Sequence, residues 1–115
     1  MHELSIALSL LEGINEAAER ERITRVSSVR LRVGVLSGIA PDALRFSWDL
    51  ASEDTIAAGS KLEIEEVPLV VMCQTCAARV TPLAGTGLVC PKCGSVCPNI
   101  VSGRELELVA MEVPT

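Results

Sequence analysis

Two Cys-x-x-Cys pairs constrain the fold of this chain more than any other feature. Cys73 and Cys76 form the first pair, Cys90 and Cys93 form the second, and thirteen residues separate the pairs. Each pair can occupy a tight turn that points two sulfurs at one ion, so two turns supply a tetrahedron of thiolates, the arrangement that structural Zn²⁺ prefers. A module of about 30 residues needs such an ion because its core is too small to fold alone. The spacing therefore predicts a structural zinc site.

Other chemistry is open to these sulfurs. Iron also binds in a tetrahedral sulfur cage, and a Cys-x-x-Cys pair can be a redox dithiol, but a redox pair normally lies where a strand meets a helix. Neither pair here is followed by a helical pattern. The fifth cysteine, Cys97, could replace a ligand, bind a second metal or stay free. We expect a free or partly buried thiol, because unligated cysteine packs as a small hydrophobe.

Hydrophobic periodicity predicts two helices. Apolar residues recur at helical spacing from Leu4 to about Arg20, with Leu4 and Leu8 among those expected on the apolar face. Pro41 and an acidic neighbour suit the first turn of a second helix that runs to about Ala51.

Period-two alternation predicts three strands, over residues 26–34, 61–67 and 105–113. The residues expected on their apolar faces are Val29, Leu31, Val33, Val35, Leu62, Ile64, Val67, Leu106, Leu108 and Ala110. We therefore expect an α+β fold, in which a small three-stranded sheet has two helices on one face and water on the other. A zinc-ribbon-like module is inserted before the last strand, with Pro68 and Gly103 as its hinges. The predicted domains are residues 1–68 with 104–115, and residues 69–103.

Composition excludes several classes of function. Hydrophobic residues make up 49% of the chain and aromatic residues 2%, so the core is aliphatic. The net charge of −5 argues against a nucleic-acid partner, and five arginines between positions 20 and 32 are interpreted as a solvated helix end and strand face. No apolar run approaches the roughly 20 residues of a membrane-spanning helix, and the start does not resemble a signal peptide. We expect a cytoplasmic protein with reduced cysteines.

His2 is the only histidine. A lone terminal histidine is usually an exposed residue at a frayed end. Here, however, its imidazole, the Met1 amine and the backbone nitrogens of His2 and Glu3 can share a plane around one ion, which suits Ni²⁺ or Cu²⁺ and not zinc. Such binding needs a neutral imidazole, so it weakens at low pH. A site at a chain end can also give its metal away, as a metal carrier must.

Several motifs in this order resemble the HypA/HybF family of accessory proteins for nickel insertion into nickel–iron hydrogenase. The motifs are Met1 to Ala7, Leu31 to Ile39, the two Cys-x-x-Cys pairs, Cys90 to Ser95 and Val101 to Leu106. The resemblance covers essentially the whole chain and implies a nickel-binding α/β domain with a zinc domain.

The resemblance also implies roles and partners. His2 becomes the nickel ligand, with Glu3 beside it, and the four paired cysteines become the zinc ligands. The implied partners are a HypB-like GTPase and the hydrogenase large subunit, and some members serve urease. Some members complete the nickel site with a second histidine, which this chain lacks. The fourth ligand here is the Met1 amine, another backbone nitrogen, water or a partner's group, with Cys97 a further candidate.

The alternative function is a zinc-ribbon adaptor that binds proteins without delivering metal. An enzyme is disfavoured because one terminal histidine and a closed zinc site provide no catalytic constellation. The chain is expected to be a monomer or a homodimer.

Overall fold

The computed structural model describes residues 3–114, which form two helices and six strands. The elements in chain order are α1 (Glu3–Glu21), β1 (Ser28–Gly34), α2 (Pro41–Ala51), β2 (Lys61–Val67), β3 (Val70–Cys73), β4 (Ala78–Val80), β5 (Asn99–Ser102) and β6 (Leu106–Glu112). The α+β fold class is confirmed. Neither of the helices that the structure describes is long and apolar enough to cross a bilayer.

The first sheet has the strand order β2-β1-β6, with β1 parallel to β2 and antiparallel to β6. The alternate apolar residues of β1 are buried under the helices, and Trp48 of α2 is fully buried in the same core. On the opposite face, Arg30 lies 3.3 Å from the Glu63 carboxylate and Arg32 lies 2.9 Å from that of Glu65. The predicted division into an apolar and a charged face is therefore confirmed for the central strand.

A β-bulge in β6 makes one predicted face wrong. Leu108 lies opposite Leu31, but the register then shifts so that Met111, and not Ala110, follows on the buried face opposite Val29. Met111 packs against the core, whereas Ala110 is exposed. One extra residue on the bulged strand inverts the alternation, and nothing in the local sequence marks where this happens.

Six residues expected on apolar faces are exposed: Leu4, Leu8, Val35, Leu106, Leu108 and Ala110. Leu106 and Leu108 are 41% and 40% exposed because β6 is an edge strand of its sheet. Val35 follows the end of β1 and is 57% exposed, because the chain has already turned away from the sheet. Leu4 and Leu8 of α1 are 48% and 52% exposed. The buried stripe of α1 is narrower than its apolar stripe and consists of Ala7, Leu11, Ile14 and Ala18.

The cysteine module contains a second sheet that periodicity did not predict. Its strand order is β4-β3-β5, and both pairings are antiparallel. Its central strand is β3, Val70–Cys73, which ends at the first of the paired cysteines. This sheet has its own small core, in which Val71 and Val80 pack against buried cysteines.

Hydrogen bonds join the module to the segments that follow β1 and β2. The N–H of Leu36 donates to the Gly103 carbonyl at 2.7 Å, and the Ser102 hydroxyl donates to the Pro68 carbonyl at 2.9 Å. Gly34 packs so closely here that a Cβ atom on it would overlap the Gly103 carbonyl group and come within 2.6 Å of the Arg104 nitrogen. The domain boundaries near Pro68 and Gly103 remain predictions.

Candidate metal centre

Two turns position the four paired cysteines. Cys73 ends β3 and Cys76 lies in the turn that leads to β4. The N–H of Cys76 donates to the Cys73 sulfur at 3.4 Å, and the N–H of Lys92 donates in the same way to the Cys90 sulfur at 3.4 Å. Each turn is therefore closed by a backbone N–H that donates to the sulfur of its first cysteine.

Each turn also needs a residue in the left-handed region. Gly94 supplies it in the second turn, with a φ of 75° that glycine adopts without steric cost. In the first turn the residue is Ala77, with a φ of 53°. The sequence does not predict this positive φ, because the residue is not a glycine.

The four sulfurs fit one tetrahedral ion. All lie within 4.8 Å of one another, with 3.5 Å between the sulfurs of Cys73 and Cys93 and 3.9 Å between those of Cys76 and Cys90. A regular tetrahedron with metal–sulfur bonds of about 2.3 Å separates its sulfurs by about 3.8 Å. The cluster predicted from spacing is therefore assembled at the dimensions of a metal–thiolate site.

The four cysteines differ in their access to solvent. Cys73 and Cys90 are buried, Cys76 is half-buried and Cys93 is exposed. The Cys93 sulfur lies 3.3 Å from the hydroxyl oxygen of Ser95. The site thus has one solvent-exposed corner, and a hydroxyl group lies beside it.

Hydrogen bonds shift the thiol pKa values in opposite directions. The Ser95 hydroxyl and backbone N–H lower the pKa of Cys93 to about 6, because they stabilise its thiolate. Hydrogen bonds from the Cys76 thiol to the sulfurs of Cys93 and Cys73 raise the pKa of Cys76 to about 12, because they stabilise its protonated form. A metal ion must displace that proton, so metal binding releases protons and weakens as pH falls.

Cys97 lies outside this cluster. It is 1% exposed, its N–H donates to the Leu88 carbonyl at 2.7 Å and its thiol donates to the Ser95 carbonyl at 3.4 Å. Burial raises the pKa of the Cys97 thiol. This burial fits the expectation that the thiol packs as a small hydrophobe, and the absence of a ligand role stays a prediction.

The predicted nickel ligands lie at the other end of the sequence. Met1 and His2 are outside the described residues. Glu3 begins α1, and its carboxylate accepts a hydrogen bond of 3.4 Å from the N–H of Ala40, the residue that precedes α2. The nickel site remains a prediction.

Ser95 had no predicted role beyond its place in the motif from Cys90 to Ser95, and Thr75 had none. Their hydroxyl oxygens lie 3.1 Å apart and bridge the two turns. The only sequence signal is a hydroxyl residue inside one Cys-x-x-Cys pair and another two residues after the second pair.

Comparison with known proteins confirms the resemblance to the HypA/HybF family that the sequence motifs indicate. The family model described as "HypA: Hydrogenase/urease nickel incorporation, metallochaperone" matches residues 1–113. A hydrogenase maturation factor HypA from Chloroflexus aurantiacus is 50% identical over 114 residues, covering 99% of this chain and all of the relative. HypA from Synechococcus is 42% identical and covers 98% of this chain and 99% of that protein.

The fold has neighbours among solved structures. The solution structure of the Ni metallochaperone HypA from Helicobacter pylori aligns with a TM-score of 0.67, covering 98% of this chain and 97% of that one. Its sequence identity is 24%, so this likeness concerns the fold alone.

Proposed function

This chain belongs to the HypA family of hydrogenase and urease nickel-incorporation proteins, and we propose that it is a nickel metallochaperone that binds Ni²⁺ through its N-terminus and delivers it during hydrogenase maturation. One observation carries the proposal: the family match extends over residues 1–113 and so includes His2 as well as the four paired cysteines. Urease is a second destination for the nickel in this proposal, since the family description includes it.

In this proposal the His2 imidazole is the principal nickel ligand. The Met1 amine and the backbone nitrogens of His2 and Glu3 complete a planar set, the geometry that Ni²⁺ favours with nitrogen ligands. The contact of Glu3 with the start of α2 supports the proposal, because it fixes the residue that follows His2 in the sequence.

The cysteine cluster holds structural zinc in this proposal. Four thiolates at tetrahedral spacing suit Zn²⁺ and leave no open position for substrate. The ion stabilises the residue 69–103 module, whose own core is small. The chain is accordingly a carrier and not an enzyme.

The proposed partners are a HypB-like GTPase and the hydrogenase large subunit, with the chain acting as a monomer or homodimer. We place it in the cytoplasm, where cysteines stay reduced. The five cysteines, four of them assigned here to zinc, suit a reducing compartment.

The variant His2→Ala tests the nickel site. Because His2 supplies the only imidazole, we expect the variant to lose nickel binding at neutral pH while it keeps one zinc and an unchanged circular dichroism spectrum. Isothermal titration with Ni²⁺ measures the affinity, and Ser5→Ala, an exposed change three residues away, is the matched control. Unchanged nickel affinity in His2→Ala would refute this ligand assignment. If the native protein also fails to bind nickel, the zinc-ribbon adaptor becomes the better account.

A further inference from the structure

Ser95 connects the two cysteine turns through its side chain. Its hydroxyl oxygen lies 3.3 Å from the sulfur of Cys93 in the second turn and 3.1 Å from the hydroxyl oxygen of Thr75 in the first turn. Thr75 lies inside the Cys73–Cys76 turn, so the contact spans both halves of the metal cage.

The backbone of Ser95 is fixed independently of these contacts. Its carbonyl accepts the N–H of Cys90 at 2.9 Å, and the neighbouring Gly94 N–H donates to the Cys90 carbonyl at 2.9 Å. This ring of hydrogen bonds anchors Ser95 to the second turn. Its hydroxyl therefore approaches Cys93 from a preset position.

Metal binding dictates the direction of the hydrogen bonds. A metal-bound Cys93 is a thiolate without a proton, so it can only accept, and Ser95 must donate. The Ser95 oxygen is then free to accept, so the proton between the two hydroxyls comes from Thr75. The result is a one-way chain from Thr75 through Ser95 to the Cys93 sulfur.

These hydrogen bonds end on Cys93, the one solvent-exposed sulfur of the four paired cysteines. Cys73 and Cys90 are buried, whereas Cys93 is exposed, and both hydrogen-bond donors to its sulfur, a hydroxyl and a backbone N–H, belong to Ser95. Water, protons and competing ligands reach an exposed thiolate first. Hydrogen bonds to a charged acceptor are stronger than those between neutral groups, so a donor at this corner has the largest effect on metal retention.

We propose that Ser95, supported by Thr75, is a positioning residue that keeps Cys93 on the metal and slows loss of zinc from the exposed corner of the cage. The inference rests on the zinc site of the proposed function. It adds two polar residues to that site and assigns the direction of the hydrogen bonds that join them to Cys93.

Zinc transfer to a chromogenic chelator tests this inference on the full-length, zinc-loaded protein. We expect Ser95→Ala to release zinc about tenfold faster, since removing an outer-shell partner of a metal ligand typically costs 10–100-fold in affinity. Thr75→Val should speed release by a smaller factor. Adding Thr75→Val to Ser95→Ala should change nothing further, because Thr75 acts only through Ser95.

Two controls separate this role from general destabilisation. Ser95→Thr keeps the hydroxyl and should restore slow release, whereas Thr81→Ala, an exposed change in the same module outside the cluster, should have no effect. Equal release rates in Ser95→Ala and the native protein, or independent additive effects of the two substitutions, would overturn the inference. Absence of bound zinc in the native protein would instead refute the zinc assignment in the proposed function, a result that metal analysis reports before any variant is made.

Discussion

At the scale of single residues, Glu105 is the most informative side chain outside the metal cage. Its carboxylate accepts the N–H of Gly103 at 2.7 Å, directly at the connection between the two sheets. Hydrogen bonds from its own backbone N–H and from that of Gly103, together with the charge of Arg32, hold the pKa of Glu105 below the ordinary value of 4.5. The ionised carboxylate thus helps to close the loop at which the chain leaves the module.

This pKa shift predicts a pH dependence. Because the pKa of Glu105 is lower in the folded protein, its contribution to stability is complete above about pH 4.5 and disappears as pH falls through the folded-state value. The variant Glu105→Gln should therefore be less stable than the native protein at neutral pH, and the difference should shrink in acid. Urea unfolding at several pH values measures it, with exposed Glu12→Gln as the control. A difference that does not vary with pH would contradict this role of the charge.

Residue identity predicted the metal cage well and its supporting contacts poorly. Cysteine spacing predicted which four cysteines cluster, and their role as zinc ligands stays a prediction. Ser95 and Thr75 were missed because a hydroxyl near a cysteine is common, and only the fold brings the two turns within 3.1 Å.

At the scale of elements, periodicity located both helices and all three strands of the first sheet. It failed where a strand is short or irregular. Strands of three or four residues, such as β4 and β5, are too short for alternation to be recognised. The bulge in β6 depends on its pairing with β1, which one strand's sequence does not contain.

Gly34, the last residue of β1, leads to a prediction about the contact between β1 and the module. A Cβ atom there would overlap the Gly103 carbonyl group, so Gly34→Ala must separate β1 from the module connection. We expect a loss of about 3 kcal/mol in the free energy of unfolding, the upper range for overpacking. Thermal denaturation followed by circular dichroism provides the measurement.

Gly13 provides the matched control for that substitution. It lies within α1, and a Cβ atom there would have no neighbour within 4 Å. Gly13→Ala should therefore stabilise the protein by about 1 kcal/mol through helix propensity alone. Equal effects of the two substitutions would show that the close approach at Gly34 has no energetic consequence.

At the scale of the whole molecule, the described chain is elongated, with dimensions of 53 × 25 × 20 Å. It contains two separate hydrophobic cores, one under the helices and one around the cysteines. Loop residues 35–40 link the two regions, since Leu36 contacts Gly103 and Ala40 contacts Glu3. This arrangement suits a protein in which one ion stabilises the fold and another is cargo. Hydrophobic periodicity predicted the first region and cysteine spacing predicted the second, but neither predicted the backbone contacts between them.

Titration of the zinc-loaded protein, with its native N-terminus, by Ni²⁺ at neutral pH tests the central claim most directly. Absorption spectra report the nickel ligands while a zinc-sensitive dye reports released zinc. We predict one nickel per chain with the weak bands of planar nitrogen coordination, no intense sulfur-to-nickel charge-transfer band and no release of zinc. Intense charge transfer accompanied by zinc release would place the nickel in the cysteine cage, and that result would contradict the account of a separate nickel site at the chain end.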